Sequence, residues 1–344
     1  MITDGDSRLF DNARFPLMVM VVFIHCSIGA SFRELDILSK IVGAVCACAV
    51  PLFFVISGCL FFNGIGEDFA DIYKRKLKSR VHTLLVPYLI WNIVTIAYLW
   101  AGEMLMPWMA SGANTPVSSY GAQQWIRAFW DLRGGMPVCY PFWFIRDLMV
   151  MNLLSPVFYI VIRKTGILLP AALGIFYICG FRTGITGLSE MALFFYSLGA
   201  WYSLGGSSIS ADCKRIPPVS ACIYCIILGT LTYMYICGKG DDTIPYRAIS
   251  FVGMCLAAGL LSKKKKSTNA LLQGSSFFIY ATHAIVLALV ARVLCTLIPV
   301  TTAASACIVY LMCPVFTVAL CIVLYALAKK LLPRATAIAT GSRL

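Results

Sequence analysis

The chain has 344 residues, 60% of them hydrophobic and 12% charged, with a net charge of +13 and a mean hydropathy of +0.84. A soluble domain carries roughly 25% charged residues, so this composition excludes a water-facing globular enzyme and points to a polytopic membrane bundle. The positive balance calls for no nucleic-acid partner, because basic residues at cytoplasmic helix ends, facing anionic lipid, account for it.

In chain order, apolar segments fall at 13–31, 41–63, 84–102, 142–162, 166–181, 188–204, 218–238, 247–261, 275–297 and 303–328. Most reach the ~20 residues that carry a helix across ~30 Å of hydrocarbon; the fifth, sixth and eighth are short. No segment alternates with the period of two that a membrane β-barrel requires. The expectation is an all-α bundle of about ten transmembrane helices, forming one domain over 1–344. The first apolar stretch follows a short polar start and lacks a small-residue cleavage site, so it reads as a retained helix rather than a signal peptide.

Charge sorts the loops into two sets. Arg8, Arg14, Lys74, Arg75, Lys76, Lys78, Arg80, Arg163, Lys164, Lys214, Arg215, Lys263 to Lys266, Lys329, Lys330, Arg334 and Arg343 make 19 of the 28 basic residues. They share one side if every segment crosses. The other side holds six: Arg33, Arg127, Arg133, Arg182, Lys239 and Arg247. Positive-inside bias then places both termini in the cytoplasm of a cell-membrane protein, which needs an even number of spans.

The outward loop 103–141 contains Trp108, Trp125 and Trp130 with Arg127, Asp131 and Arg133. Its tryptophans read either as interface anchors or as parts of a substrate-facing lid. Of the 15 cysteines nearly all lie inside apolar segments and behave as small apolar residues. Only Cys139 sits in an outward loop, and the C-x-x-C at Cys222 and Cys225 has no second pair to suggest a metal site. No metal is expected.

Chemistry must come from polar residues within the apolar bulk, which are costly there. His25, in MVMVVFIHCSIGA, and His283, in FFIYATHAIVLALV, qualify; His82 lies at a basic helix edge. A membrane histidine can serve as a structural donor between helices. His25, however, follows Arg14 by eleven residues, which returns it to within about 20° of the same helix face, roughly 16 Å along the axis. A guanidinium suits phosphate or carboxylate, and a neutral imidazole can act as base or nucleophile near pH 7. Arg146 beside Asp147, which point in different directions on a helix, and Glu190 are further in-span polar groups. Glu190 also reads as a solvated helix end. Pro51, Pro87, Pro156 and Pro314 either free carbonyls or kink helices. Ser57 with Gly58 reads first as close helix packing.

At these residues the chain resembles the acyltransferase 3 family of integral-membrane acyltransferases over essentially its whole length. The family hallmark is an arginine, ten residues and a histidine in the first helix, here RFPLMVMVVFIH from Arg14 to His25. PLFFVISGCLF at 51–61, KRKLKSRVHTLLVPYLIW at 74–91, FWFIRDLMV at 142–150, FFYSLGA at 194–200 and FIYATHAIV at 278–286 follow in the family's order.

The resemblance implies transfer of an acyl group, usually acetyl from acetyl-CoA, to a hydroxyl of a sugar, glycolipid or cell-surface polysaccharide. It makes Arg14 and His25 the residues needed for activity. Arg14, Lys74, Arg75 and Lys76 are the candidate donor-binding residues, and Arg146, Glu190, Tyr280 and His283 the candidate acceptor contacts. Some members carry an appended extracytoplasmic hydrolase-like domain; this sequence ends soon after its last apolar segment and no such domain is expected. A proton-coupled transporter or flippase is the alternative, since midplane histidines and arginines suit it too, but no internal duplication or paired interrupted helices support it. A scaffold role fits the Arg14–His25 pair less well.

Overall fold

The computed structural model describes residues 2–66, 68–105, 115–133, 135–238, 244–264 and 266–341. Trp108, Lys239, Lys265 and Arg343 lie outside the described residues. The helices are α1 (Asp4–Ile24), α2 (Arg33–Cys46), α3 (Ala49–Phe62), α4 (Phe69–Arg80), α5 (Val86–Leu105), α6 (Ala122–Phe129), α7 (Trp143–Leu153) and α8 (Ser155–Thr165). There follow α9 (Leu168–Ile178), α10 (Glu190–Leu204), α11 (Ile209–Arg215), α12 (Pro218–Cys237), α13 (Ile244–Ser262), α14 (Ala270–Leu297), α15 (Ala303–Leu331) and α16 (Pro333–Ala339). No strand forms among the described residues.

The all-α expectation holds, and the count of about ten spans is only approximate. Six helices are long and apolar enough to cross a membrane among the described residues: Arg33–Phe62, Phe69–Leu105, Val219–Cys237, Ile244–Ser262, Ala270–Leu297 and Ala303–Leu331. A seventh is added if α7 and α8, bent by 62°, form one broken span. The bend falls just before Pro156, which has no N–H for the helix ladder. Segments 166–181 and 188–204 shorten to helices of 11 and 15 residues. Segment 13–31 belongs to a helix whose first half is polar, closed at its start by a Thr3–Asp6 capping box. Helix α10 is apolar because protein surrounds it, burying Phe194, Phe195, Tyr196 and Gly199, whereas α9 keeps Leu168 and Ile175 exposed.

Helix α1 is central, touching α2, α3, α11, α13, α14 and α15. Its first residues gather the basic segments at one end of the bundle. Ile2 N–H donates to Asn63, and Asp6 accepts from the Ser208 hydroxyl and the Ser210 N–H at the head of α11. Asn12 accepts from the Thr268 N–H and hydroxyl, just after the Lys263–Lys266 run. The tail joins them: Trp91 of α5 donates to the Ala339 carbonyl at 2.9 Å. Gly341, in left-handed conformation at φ +64, backs onto a π-helical turn at Val81–Leu85, where a Cβ would meet the Thr83 oxygen at 2.6 Å. Pro87, which cannot donate to the Thr83 carbonyl, accounts for that widened turn.

Helices α3 and α10 make the closest crossing. A Cβ on Gly58 would lie 2.3 Å from the Tyr196 carbonyl oxygen, and one on Gly199 would lie 2.1 Å from that of Val55. The small residues at 58 and 199 are therefore packing residues, as in other close membrane crossings.

Candidate active site

His25 stands at the C-terminal end of α1, where Ser27 and Gly29 (φ +66) turn the chain away from the helix. Three turns of helix separate it from Arg14, roughly 16 Å by helical rise, so the two share a face without touching. Arg14 is half exposed near the basic end and pairs with Asp11 at 3.6 Å.

Two rings meet His25. His283, on α14, lies with its ring centroid 5.3 Å away at 32°, and Tyr140 approaches edge-on at 5.1 Å and 71°. The convergence follows from register. Asn12 of α1 is tied to Thr268 ahead of α14, and thirteen residues further along each helix come His25 and, within two positions, His283.

Tyr140 arrives by a different route. The segment after α6 dips into the bundle as a short 3-10 turn, Tyr140–Phe142, rather than staying on its surface. Fully buried Asn92 accepts from the Cys139 N–H at 3.1 Å, and Tyr280 donates its hydroxyl to the Pro141 carbonyl at 2.5 Å. Phe142 is fully buried and stacks on Tyr280 at 5.1 Å and 8°. Tyr88 also donates to the Phe129 carbonyl. Cys139, expected in an outward loop, is consequently 3% exposed. Tyr140 had no sequence signal: it is a loop residue without periodicity, recognisable only once the segment turns inward.

Arg146 and Asp147 correct the expectation that neighbours on a helix do not pair. The Arg146 Nε donates to Asp147 Oδ1 at 3.1 Å, and its Nη1 donates to the Gly135 carbonyl at 2.8 Å. The rule concerns Cβ directions; an arginine is long enough to fold back. Asp147 Oδ2 accepts from the Ser189 N–H at 3.3 Å. Next to it Glu190 is not a solvated helix end, because it pairs with Arg247 at 3.6 Å. Arg247, placed in an outward loop by sequence, is 3% exposed on α13, donates to the Tyr177 carbonyl and lies over the Tyr177 ring. Arg146, Asp147, Glu190 and Arg247 thus form two neutralised pairs that tie the inward-dipping segment, α7, α9, α10 and α13 together, a strut beside the site.

Of the basic cluster on α4, Lys74 and Arg75 are exposed. Lys76 is turned inward, its ammonium donating to the carbonyls of Leu60, Phe61 and Asn63 at the end of α3. It caps a helix whose last carbonyls need donors.

The family's acyltransferase domain matches residues 8–326 of this chain. The chain belongs to the acyltransferase 3 family. It is therefore a multi-pass membrane acyltransferase, and the matched residues include both Arg14 and His25. It is also 26% identical, over 96% of its own length and 90% of the relative's, to a succinoglycan biosynthesis protein, ExoH, of Rhizobium meliloti (strain 1021). No solved structure matches the chain significantly.

Proposed function

We propose that this enzyme transfers an acyl group from a cytosolic acyl-CoA, acetyl-CoA first among them, to a hydroxyl of an envelope polysaccharide or its lipid-linked precursor. The observation that carries the reading is His25: a helix-end imidazole between two other polar rings, on the same helix face as an exposed arginine at the basic end. Likeness along the whole chain to a protein of succinoglycan biosynthesis supports a carbohydrate acceptor. Positive-inside bias puts the basic end, and both termini, in the cytoplasm of the cell membrane.

On this reading Arg14, with Lys74 and Arg75, draws the phosphates of the donor to the basic end, where guanidinium bonds add to charge. The thioester then points along α1 toward His25. An imidazole there has two routes. It takes the proton of the acceptor hydroxyl as that oxygen attacks the thioester carbonyl and the C–S bond breaks, or it attacks the carbonyl itself and passes the acyl group on. Either route ends with the thiol released and an ester formed.

Purified protein supplied with acetyl-CoA and a panel of polysaccharide acceptors should release free CoA thiol in proportion to ester formed. The His25→Ala variant, folded and still binding CoA, should lose at least ~10² of this rate. Near-normal turnover in that variant would end the assignment. Acceptor-independent substrate flux in sealed vesicles, without thiol release, would point to the transporter instead.

A further inference from the structure

His283 is one of three histidines in the chain, and its ring is wholly enclosed, with 0% exposure. Its Nδ1 lies 2.8 Å from the carbonyl oxygen of Tyr280 and 3.1 Å from that of Ile279. A carbonyl oxygen only accepts, so Nδ1 carries the hydrogen. In a neutral imidazole the other nitrogen is then an acceptor with a free lone pair. That nitrogen, Nε2, is buried and has no hydrogen-bond partner among the described residues. A buried acceptor left unpaired is costly and calls for an explanation. The ring it shares its surroundings with is His25, at 5.3 Å.

We infer that His283 sets the tautomer of His25: the two rings, 5.3 Å apart and not hydrogen-bonded as they stand, meet by a turn of the His25 side chain, so that Nε2 accepts the hydrogen of one His25 ring nitrogen and leaves the lone pair of the other free for the reaction. The inference rests on the reading of His25 as base or nucleophile, and it holds for both routes. His283 is a positioning residue and takes no proton itself. The arrangement has the logic of a base oriented by a third group, with a backbone carbonyl of α14 in the place usually held by a carboxylate. A carbonyl brings orientation without a formal charge, which suits an apolar interior. Tyr280 couples the parts. Its carbonyl holds the His283 ring, and its hydroxyl holds Pro141, next to the Tyr140 that flanks His25 from the other side.

Protein labelled with 15N-histidine and studied by NMR in detergent tests this directly, with His25→Ala and His82→Gln variants assigning the three rings. His283 should be protonated at Nδ1, and His25 should be a single tautomer. That tautomer should persist in His283→Gln, whose amide oxygen accepts the same hydrogen, and become mixed in His283→Leu. Turnover should follow: kcat falls about 10²-fold in His283→Leu and stays within about tenfold of wild type in His283→Gln, with the donor KM changed less than about twofold in both. A wild-type His283 protonated at Nε2 overturns the inference, as does equal loss, or no loss, of kcat in the two variants. If His283→Leu does not fold, the wild-type spectrum and His283→Gln decide the matter. Full activity in His283→Leu beside a dead His25→Ala would remove this inference alone; an active His25→Ala would remove the functional reading beneath it.

Discussion

Substituting Gly199 by alanine perturbs one point of the fold by a known amount. The added Cβ would lie 2.1 Å from the Val55 carbonyl oxygen and 3.0 Å from the Cys59 nitrogen, both backbone atoms of α3. Backbone cannot rotate aside as a side chain can, so α3 and α10 must part by roughly 1 Å to restore van der Waals contact. Overpacking of this kind costs about 1–3 kcal/mol, and it also stretches the Cys59 Sγ–H bond to the Gly199 carbonyl, now 3.2 Å. Melting of the purified protein in detergent, followed by monodispersity after heating, should fall by several degrees. Gly58→Ala, with its clash of 2.3 Å against Tyr196, should do the same. The double variant should lose less than the sum, because helices already parted for one methyl make room for the other. Activity should drop with stability, since Phe54 of α3 packs on Phe144 at 4.6 Å and Phe144 reaches Tyr280. Wild-type melting in both single variants, or fully additive losses, would refute the close crossing.

Reversing the charges of Lys74 and Arg75 should raise the apparent KM for acyl-CoA at least severalfold and leave melting unchanged, as exposed cations contribute little to stability; an unchanged KM would confine them to topology. Lys76→Met should do the opposite, lowering the melting temperature by uncapping α3 while sparing donor affinity. Glu190→Gln should destabilise by about 3–5 kcal/mol, because it leaves the Arg247 charge buried and uncompensated, and pairing Glu190→Leu with Arg247→Leu should recover most of the loss; a double variant as unstable as the single would contradict the pairing. A cysteine at Ser118, labelled over the background of the parent protein, should react with an impermeant thiol reagent from outside intact cells; labelling only from the cytoplasm would invert the topology.

What could be seen in the sequence depended on which physical constraint left a linear trace. Helices α12, α13, α14 and α15 were legible to within a few residues, because crossing a bilayer demands an unbroken apolar run and little else supplies one. Segment 188–204 was not, because burial inside a bundle selects the same residues as lipid does without asking for the length, and hydropathy alone cannot separate α10 from a span. That Arg14 and His25 share one helix was legible in the sequence; that Tyr140 and His283 meet His25 was not. Arg247 was not. Its guanidinium sits at the start of a helix and looks in sequence like an ordinary loop cation, and only the packing of α13 against α9 brings it to Glu190 and Tyr177. Lys76 shows the reverse case, one member of a uniform basic run singled out by the three carbonyls that happen to lie in reach.

The placement of formal charge separates the site from its supports. Four ionised groups of the strut cancel in pairs, Arg146 with Asp147 and Glu190 with Arg247, where an uncompensated charge would be most expensive. The rings against His25, those of Tyr140 and His283, bring hydrogen-bonding atoms and no permanent charge. A carboxylate beside His25 would orient it equally well, yet it would also hold a proton on the ring and repel an anionic donor. Orientation through His283 and the α14 carbonyls avoids both effects. It follows that the chemistry should tolerate changes of charge in the strut better than changes of hydrogen-bonding pattern in the rings, whereas stability should show the opposite ranking. Kinetics and melting on the same set of variants therefore report on two separable parts of the structure.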